Sequence, residues 1–231
     1  MDRITGMIKR DELVRIVRGR LKGNPVVALL GPRQCGKTTL ARQVAAGQRA
    51  QYFDLEDPAD AERLGNPREA LGALRGLVVL DEIQRRPELF EALRILADRP
   101  RAPAHFLILG SASPGLVRGA SETLAGRVSF VEMGGFDLGE IGASKLDRLW
   151  QRGAFPRSFL ARSEAASVQW REDFIRTFLE KDMPQLGVTV PAATLRRFWT
   201  MTAHYHGQVW NAAEFARSLG SSEGTARRPV F

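Results

Sequence analysis

The chain has 231 residues, enough for one large domain or two small ones. Its 44% hydrophobic and 26% charged content is that of an ordinary globular protein, and no apolar run approaches the roughly 18 residues of a membrane span. A net charge of +8 admits a nucleic-acid partner. However, 29 of the 34 basic residues are arginines scattered along the chain, and arginine, alanine and glycine are abundant together, so charge alone argues weakly for such a partner.

The opening stretch, MDRITGMIKRDE, lacks the apolar core of a signal peptide, so a cytoplasmic protein is expected. Cys35 is the single cysteine, which excludes an intrachain disulfide and a cysteine-rich metal site. His105, His204 and His206 show no zinc-ligand spacing.

Residues 7–21 carry Ile8, Leu13, Ile16, Val17 and Leu21 at near-helical spacing with arginines between them, which predicts an amphipathic helix packed outside a sheet. Gly23-Asn24-Pro25 breaks it. Val26 to Leu30 (VVALL) is a buried strand, and it runs into GPRQCGKTTL at residues 31–40. Gly31, Gly36, Lys37 and Thr38 match G-x-x-x-x-G-K-[ST], between a strand and a helix-favouring run. The glycines let successive N–H groups of residues 31–39 (Gly31, Pro32, Arg33, Gln34, Cys35, Gly36, Lys37, Thr38, Thr39) line one concavity, proline excepted, and the helix adds its free N-terminal N–H groups. Lys37 would reach phosphates and the Thr38 hydroxyl would hold Mg²⁺. A turn that binds nothing would have no need of Lys-Thr at that place.

QYFDL, residues 51–55, reads as a second strand with Asp54, Glu56 and Asp57 at its end. Residues 59–75 are helical with a break at Gly65-Asn66-Pro67, and LVVL at 77–80 is a buried strand ending in Asp81-Glu82. Residues 87–98 form a helix with Leu89, Leu93 and Leu96 as its apolar stripe. HFLIL at 105–109 is a further strand, stopping at Gly110-Ser111-Ala112-Ser113, and residues 128–131 are the last. Short buried strands alternating with helices give an α/β fold, a parallel sheet of the P-loop NTPase kind with helices on both faces. Ligands in such sheets bind at the carboxyl ends of strands, where all three polar stretches fall.

Asp81 would face Mg²⁺ through a water, and Glu82 is placed to activate an attacking water. An acidic pair capping a strand is the plainer reading; the phosphate loop upstream argues against it. A kinase needs no water-activating carboxylate beside its Mg²⁺ aspartate, so the pair favours hydrolysis. Ser111 or Ser113 could sense the γ-phosphate, or merely make a Gly-Ser turn. Arg127 is a candidate arginine finger, with a salt-bridged surface arginine as its rival reading.

Beyond about Phe136 only helices are expected: residues 163–183, with Val168, Phe174, Ile175, Phe178 and Leu179 on the apolar side, and residues 194–205. This gives an ATPase domain at 1–135 and a smaller all-α domain at 136–231. Residues 211–228 read as a partial helix-turn-helix: Asn211 caps one helix, Gly220 ends it, and Ser222 opens a second that reaches Arg227 and Arg228. Pro229 stops that second helix short, which favours a hairpin that only packs on its neighbours over a DNA reader.

GPRQCGKTTL, LVVLDEIQ with Pro87, LILGSAS, SETLAGRV, WQRGAFPRSFL and RTFLEKDMPQLG together resemble the AAA-type P-loop ATPases, in a bacterial and archaeal branch whose C-terminal domain is helical, winged-helix-like and poorly characterised. The resemblance implies ATP and Mg²⁺ as ligands, with Lys37 and Thr38 on phosphate and metal, Asp81 on the metal and Glu82 as the base. It makes Ser111 or Ser113 a plausible sensor and strengthens Arg127 as a candidate finger. It also implies a C-terminal part longer than the one present. Rings are frequent among AAA-type proteins, although no residue here demands a homo-oligomer. The readings carried forward are an ATPase acting on an unknown protein partner, a nucleotide-regulated DNA-binding protein and, disfavoured by Glu82, a P-loop kinase.

Overall fold

The computed structural model describes residues 8–100, 104–111 and 113–220. The chain divides into two compact units, Met1–Ser167 and Val168–Phe231.

In the first unit the order is α1 (Asp11–Gly23), β1 (Val26–Leu30), α2 (Lys37–Ala45), β2 (Ala50–Asp54), α3 (Pro58–Arg63), α4 (Pro67–Gly72), β3 (Gly76–Asp81), α5 (Leu89–Ala97), β4 (Ala104–Gly110), α6 (Pro114–Thr123) and β5 (Val128–Glu132), then three short helices, α7 (Leu138–Ile141), α8 (Leu146–Arg152) and α9 (Pro156–Phe159). The five strands form one sheet in the order β2-β3-β4-β1-β5, and every neighbouring pair is parallel. Central strands buried on both faces have no solvated side to mark with polar residues, which is why VVALL and LVVL read as unbroken apolar runs.

Side chains alternate across the sheet and build two cores. Val26, Ala28, Val78, Leu80, Phe106 and Ile108 face Leu71 of α4, Leu93 of α5 and Ala120 of α6. Val27, Leu29, Leu77, Val79, Leu107 and Leu109 face Val17 of α1 and Leu40 and Val44 of α2. This parity fixes the direction of the first carboxylate after LVVL. Asp81 follows Leu77 and Val79 by twos, so it ends β3 on the α2 side of the sheet.

Helix α1 starts at Asp11, later than the spacing of residues 7–21 suggests. Arg10 is held outside the helix, its backbone N–H donating to Gln43 Oε1 at 3.2 Å, while Asp11 and Glu12 supply negative charge to the first turn. The first unit also extends past the expected boundary at 135/136. Phe136, Ile141 and Phe159 make a core with Ile8 and Leu149, and the Phe136 N–H donates to Ala154 O at 2.7 Å. The end of the strand pattern therefore marks the end of the sheet, whereas the packed unit continues to Ser167.

In the C-terminal part, α10 (Glu164–Thr177) runs into a π-helical turn at Phe178–Asp182 and on to α11 (Met183–Gln185), followed by α12 (Ala192–His204) and α13 (Ala212–Leu219). Leu179, Met183 and Leu195 form one small core of the second unit, and Ala212, Phe215 and Ala216 with Phe198, Met201 and Tyr205 form another. Asn211 caps α13 by accepting from the Glu214 N–H at 3.3 Å, and Gly220, left-handed at φ 63°, ends it. The second helix of the expected helix-turn-helix, with Ser222, Arg227 and Arg228, lies outside the described residues.

Arg10 ties the first unit together. Its side chain is 6% exposed and its Nε lies 2.5 Å from Oε1 of Glu140, which is 10% exposed. It also donates to Gly134 O at 3.2 Å and Gly135 O at 2.8 Å. Arg10→Met leaves Glu140 buried without a counter-charge and should lower the unfolding free energy by about 3–5 kcal/mol in a urea titration. A loss below about 1 kcal/mol, the scale of an exposed pair, would show that solvent already screens it.

Candidate functional site

The phosphate loop leaves β1 at Gly31 and enters α2 at Lys37. It crosses beneath the segment that follows β5, because Met133 N–H donates to Leu30 O at 2.8 Å. A Cβ on Gly31 would stand 2.3 Å from Met133 O and 3.0 Å from Cys35 Sγ, so only glycine fits there. Gln34 (φ 63°) and Gly36 (φ 102°) both take left-handed backbone, which curls the loop round the helix start. Cys35 is buried beneath the loop, and burial pushes its thiol above the ordinary range. Arg10 reaches the same loop, donating to Cys35 O at 3.4 Å.

Lys37 is buried, and its Nζ donates back to Gly31 O at 2.9 Å and Pro32 O at 3.0 Å. The ammonium thus lies folded over the loop. Thr38, one residue into α2, donates through Oγ1 to Asp81 Oδ2 at 2.7 Å, across 43 residues of sequence. Asp81 is buried, and its Oδ1 accepts the Glu82 N–H at 3.0 Å. Thr38 and Asp81 are hard oxygen donors side by side at the helix start, and this donor set fits Mg²⁺.

Glu82 has left-handed backbone at φ 56°, unusual for a residue with a side chain. The turn takes its carboxylate out of the strand's alternation, and Gln84 Nε2 donates to its Oε2. Burial raises the Glu82 carboxyl above the ordinary range, while the Gln84 hydrogen bond and the Lys37 charge act in the opposite sense.

Ser111 directly follows β4, which lies between β1 and β3, and Gly110 O beside it accepts the Gly31 N–H at 3.4 Å. The serine therefore stands at the same end of the sheet as Gly31 and Asp81. Ser113 instead caps α6, accepting the Leu116 N–H at 3.4 Å. Arg127 is not at this site. It precedes β5, and its backbone O accepts from Val26 N–H at the amino end of β1, the opposite edge of the sheet from the loop. Its guanidinium grips Asp98 at 2.6 Å and 2.9 Å. Arg127 therefore makes the ion pair of the rival reading and does not reach this chain's own loop.

Three residues at the site were given no role by the sequence: Arg10, Tyr52 and Gln84, the last closing LVVLDEIQ. The Tyr52 hydroxyl donates to Asp81 Oδ2, and burial together with the adjacent carboxylate raises its phenol well above the ordinary range. The alternation of QYFDL could have revealed Tyr52, since Phe53 is buried in the opposite core; the pairing of β2 with β3 was the missing piece.

Comparison with known proteins agrees with this fold. Residues 23–142 match the profile of a family described as "AAA domain", and residues 143–230 match one described as "Domain of unknown function (DUF8612)". The chain is 55% identical over 222 residues to the uncharacterized proteins Rv2008c of Mycobacterium tuberculosis and Mb2031c of Mycobacterium bovis. That match takes in 96% of this chain and 50% of each relative, so the chain spans about half the length of the curated relatives it matches. Among solved structures it resembles the Walker-type ATPase PABY2304 of Pyrococcus abyssi, with a TM-score of 0.57 and 14% identity over 92% of this chain and 90% of that one. At that identity the likeness establishes the P-loop fold.

Two outcomes test the geometry without nucleotide. Gly31→Ala forces a methyl against Met133 O and should cost about 1–3 kcal/mol in denaturant unfolding; a neutral result would mean that the loop does not sit beneath residue 133. The second concerns pH. The folded chain holds the Glu82 proton above about pH 4.3, where the unfolded chain has released it. Stability of the metal-free protein therefore falls as pH rises through that window. Glu82→Gln removes this slope, so its melting temperature should gain on the wild type as pH rises above the ordinary carboxylate range. A constant offset across the range would show that the carboxyl is not raised.

Proposed function

We propose that this chain, which belongs to the AAA domain family, binds ATP with Mg²⁺ at the loop of residues 31–39 and hydrolyses it to ADP and phosphate. Turnover would drive a conformational change that acts on a protein partner of unknown identity. The observation that carries the reading is the convergence of Lys37, the Thr38–Asp81 pair and Glu82 at the carboxyl ends of β1 and β3. Any one of these alone serves other chemistry.

The roles follow from the chemistry of each side chain. Lys37 would exchange its carbonyl partners Gly31 and Pro32 for phosphate oxygens, which are stronger acceptors for an ammonium. Backbone N–H groups of residues 34–39 and the start of α2 supply the fixed positive end that a polyphosphate requires. Mg²⁺, when bound, neutralises charge on the β- and γ-phosphates, and Thr38 with Asp81 would hold it. Glu82 would accept the proton of the attacking water; its raised carboxyl brings it nearer the neutral range in which a general base works best. Gln84 Nε2 donates to Oε2 of that carboxylate, which would orient it beside the loop. Ser111 is the candidate γ-phosphate sensor. The cytoplasm, where ATP and Mg²⁺ are both available, is the setting that this reading implies.

Nucleotide-regulated DNA binding is the second reading, supported by α13 with its Asn211 cap and Gly220 terminus, the first half of a helix-turn-helix-like segment. Phosphate release by wild type, Lys37→Ala and Glu82→Gln, with and without duplex DNA, separates the two. Glu82→Gln should still bind ATP while losing ~10²–10⁴ in turnover, the usual contribution of a general base. An unchanged rate in that variant removes the assignment of Glu82. Binding to duplex DNA that falls steeply with salt would favour the second reading.

A further inference from the structure

Asp81 has one partner that neither the phosphate loop nor the LVVLDE strand provides. β2 lies beside β3 in parallel register, with Tyr52 opposite Val79 and Asp54 opposite Asp81. Tyr52 and Val79 both pack on the α2 side of the sheet, the side on which Asp81 ends its strand. From there the Tyr52 hydroxyl donates to Asp81 Oδ2, the oxygen that also accepts Thr38 Oγ1 at 2.7 Å. The other oxygen, Oδ1, accepts the Glu82 N–H at 3.0 Å. The tyrosine ring is itself braced, for the Arg42 guanidinium of α2 lies over it at 6.0 Å from the centroid.

Counting acceptors gives this arrangement a consequence. An ionised carboxylate offers about four lone-pair positions. Among the described residues three of Asp81's are occupied, two on Oδ2 and one on Oδ1, which leaves one on Oδ1. A carboxylate in this condition can accept a single further hydrogen bond, such as one from a water on a hydrated cation. It cannot turn both oxygens towards one ion. Mg²⁺ keeps several of its waters and suits the first arrangement, whereas Ca²⁺ takes six to eight oxygens and readily accepts a bidentate carboxylate.

We propose that Tyr52 is a positioning residue that sets the metal preference of the nucleotide site, favouring Mg²⁺ over larger cations by saturating Asp81 Oδ2. The proposal rests on the ATP–Mg²⁺ reading of the loop. Packing alone does not call for the hydroxyl: the ring fills its place against the α2 core, and phenylalanine would fill it equally. What the hydroxyl adds is a second donor on an oxygen that Thr38 has already engaged. Removing it frees a lone pair and lets the carboxylate swing about its remaining bonds, so the loss is felt most by the cation that depends on a fixed, single-point acceptor.

The experiment is a calorimetric titration of the non-hydrolysable analogue AMP-PNP into the full chain, wild type and Tyr52→Phe, in Mg²⁺, in Ca²⁺ and in EDTA. Melting temperatures in EDTA confirm that both proteins fold. The wild type should bind more tightly with Mg²⁺ than with Ca²⁺, and Tyr52→Phe should shrink that ratio about tenfold, the scale of one hydrogen bond to a charged group. Affinity in EDTA should stay within about twofold, because no phosphate contact is touched. An unchanged Mg²⁺ to Ca²⁺ ratio, or an equal loss in all three conditions, overturns the proposal and leaves Tyr52 a structural residue. Wild-type protein that binds the analogue no better with Mg²⁺ than in EDTA overturns the ATP–Mg²⁺ reading itself, and the proposal with it.

Discussion

The hydrogen bond from Thr38 to Asp81 is the interaction on which the site depends. It joins the first turn of α2 to the last residue of β3, although β3 and β1 are not neighbours and β4 lies between them. Closing it requires the helix to sit on one face of the sheet and the aspartate to point to that same face. The second condition is met by strand parity: two apolar residues of LVVL reach each core, and the next position on the α2 side is the carboxylate. Shortening or lengthening the strand by one residue would send Asp81 to the opposite core and leave the hydroxyl without its acceptor.

Glycine and backbone handedness do the complementary work in the loop. Gly31 slides beneath Met133 with no room for a methyl, and Gln34 and Gly36 turn in the left-handed region, so the loop closes on itself before α2 begins. Glu82 uses the same left-handed backbone, leaving the strand's alternation to stand beside Gln84 rather than over the core of α4, α5 and α6. Both loops concentrate unusual backbone where side chains must converge, as is common where a site is organised before its ligand arrives.

The sheet was legible because its strands are buried on both faces, and unbroken apolar runs ending in Gly or Asp leave little choice of element. The phosphate loop was legible because glycine, lysine and threonine at fixed spacing have a mechanical reason to be there. Arg10 was not legible. In sequence it is one of several arginines on an amphipathic helix, where solvated charge is the ordinary expectation, and only the fold brings Glu140 to it across 130 residues. Tyr52 and Gln84 escaped for a related reason, since each acts through a neighbour set by strand order or a tight turn. Arg127 stands elsewhere: the register of β5 on β1 puts it at the amino end of the strands, paired with Asp98, away from this chain's own loop. The boundary expected at 135/136 followed the strands, whereas packing follows Phe136, Ile141 and Phe159.

Arg10 lies 13 residues ahead of the region matched by the AAA family profile, which begins at residue 23. A fragment trimmed to residues 23–142 would retain every atom of the phosphate loop and of the Asp81–Glu82 turn. It would lose α1, which covers the α2 face of the sheet, and the buried guanidinium that fastens the loop at Cys35 to the chain after β5. Glu140 would remain in that fragment with its counter-charge cut away. The packed unit is therefore larger than the stretch in which its chemistry is written, and it takes in Ile8 and Arg10, neither of which carries a nucleotide motif.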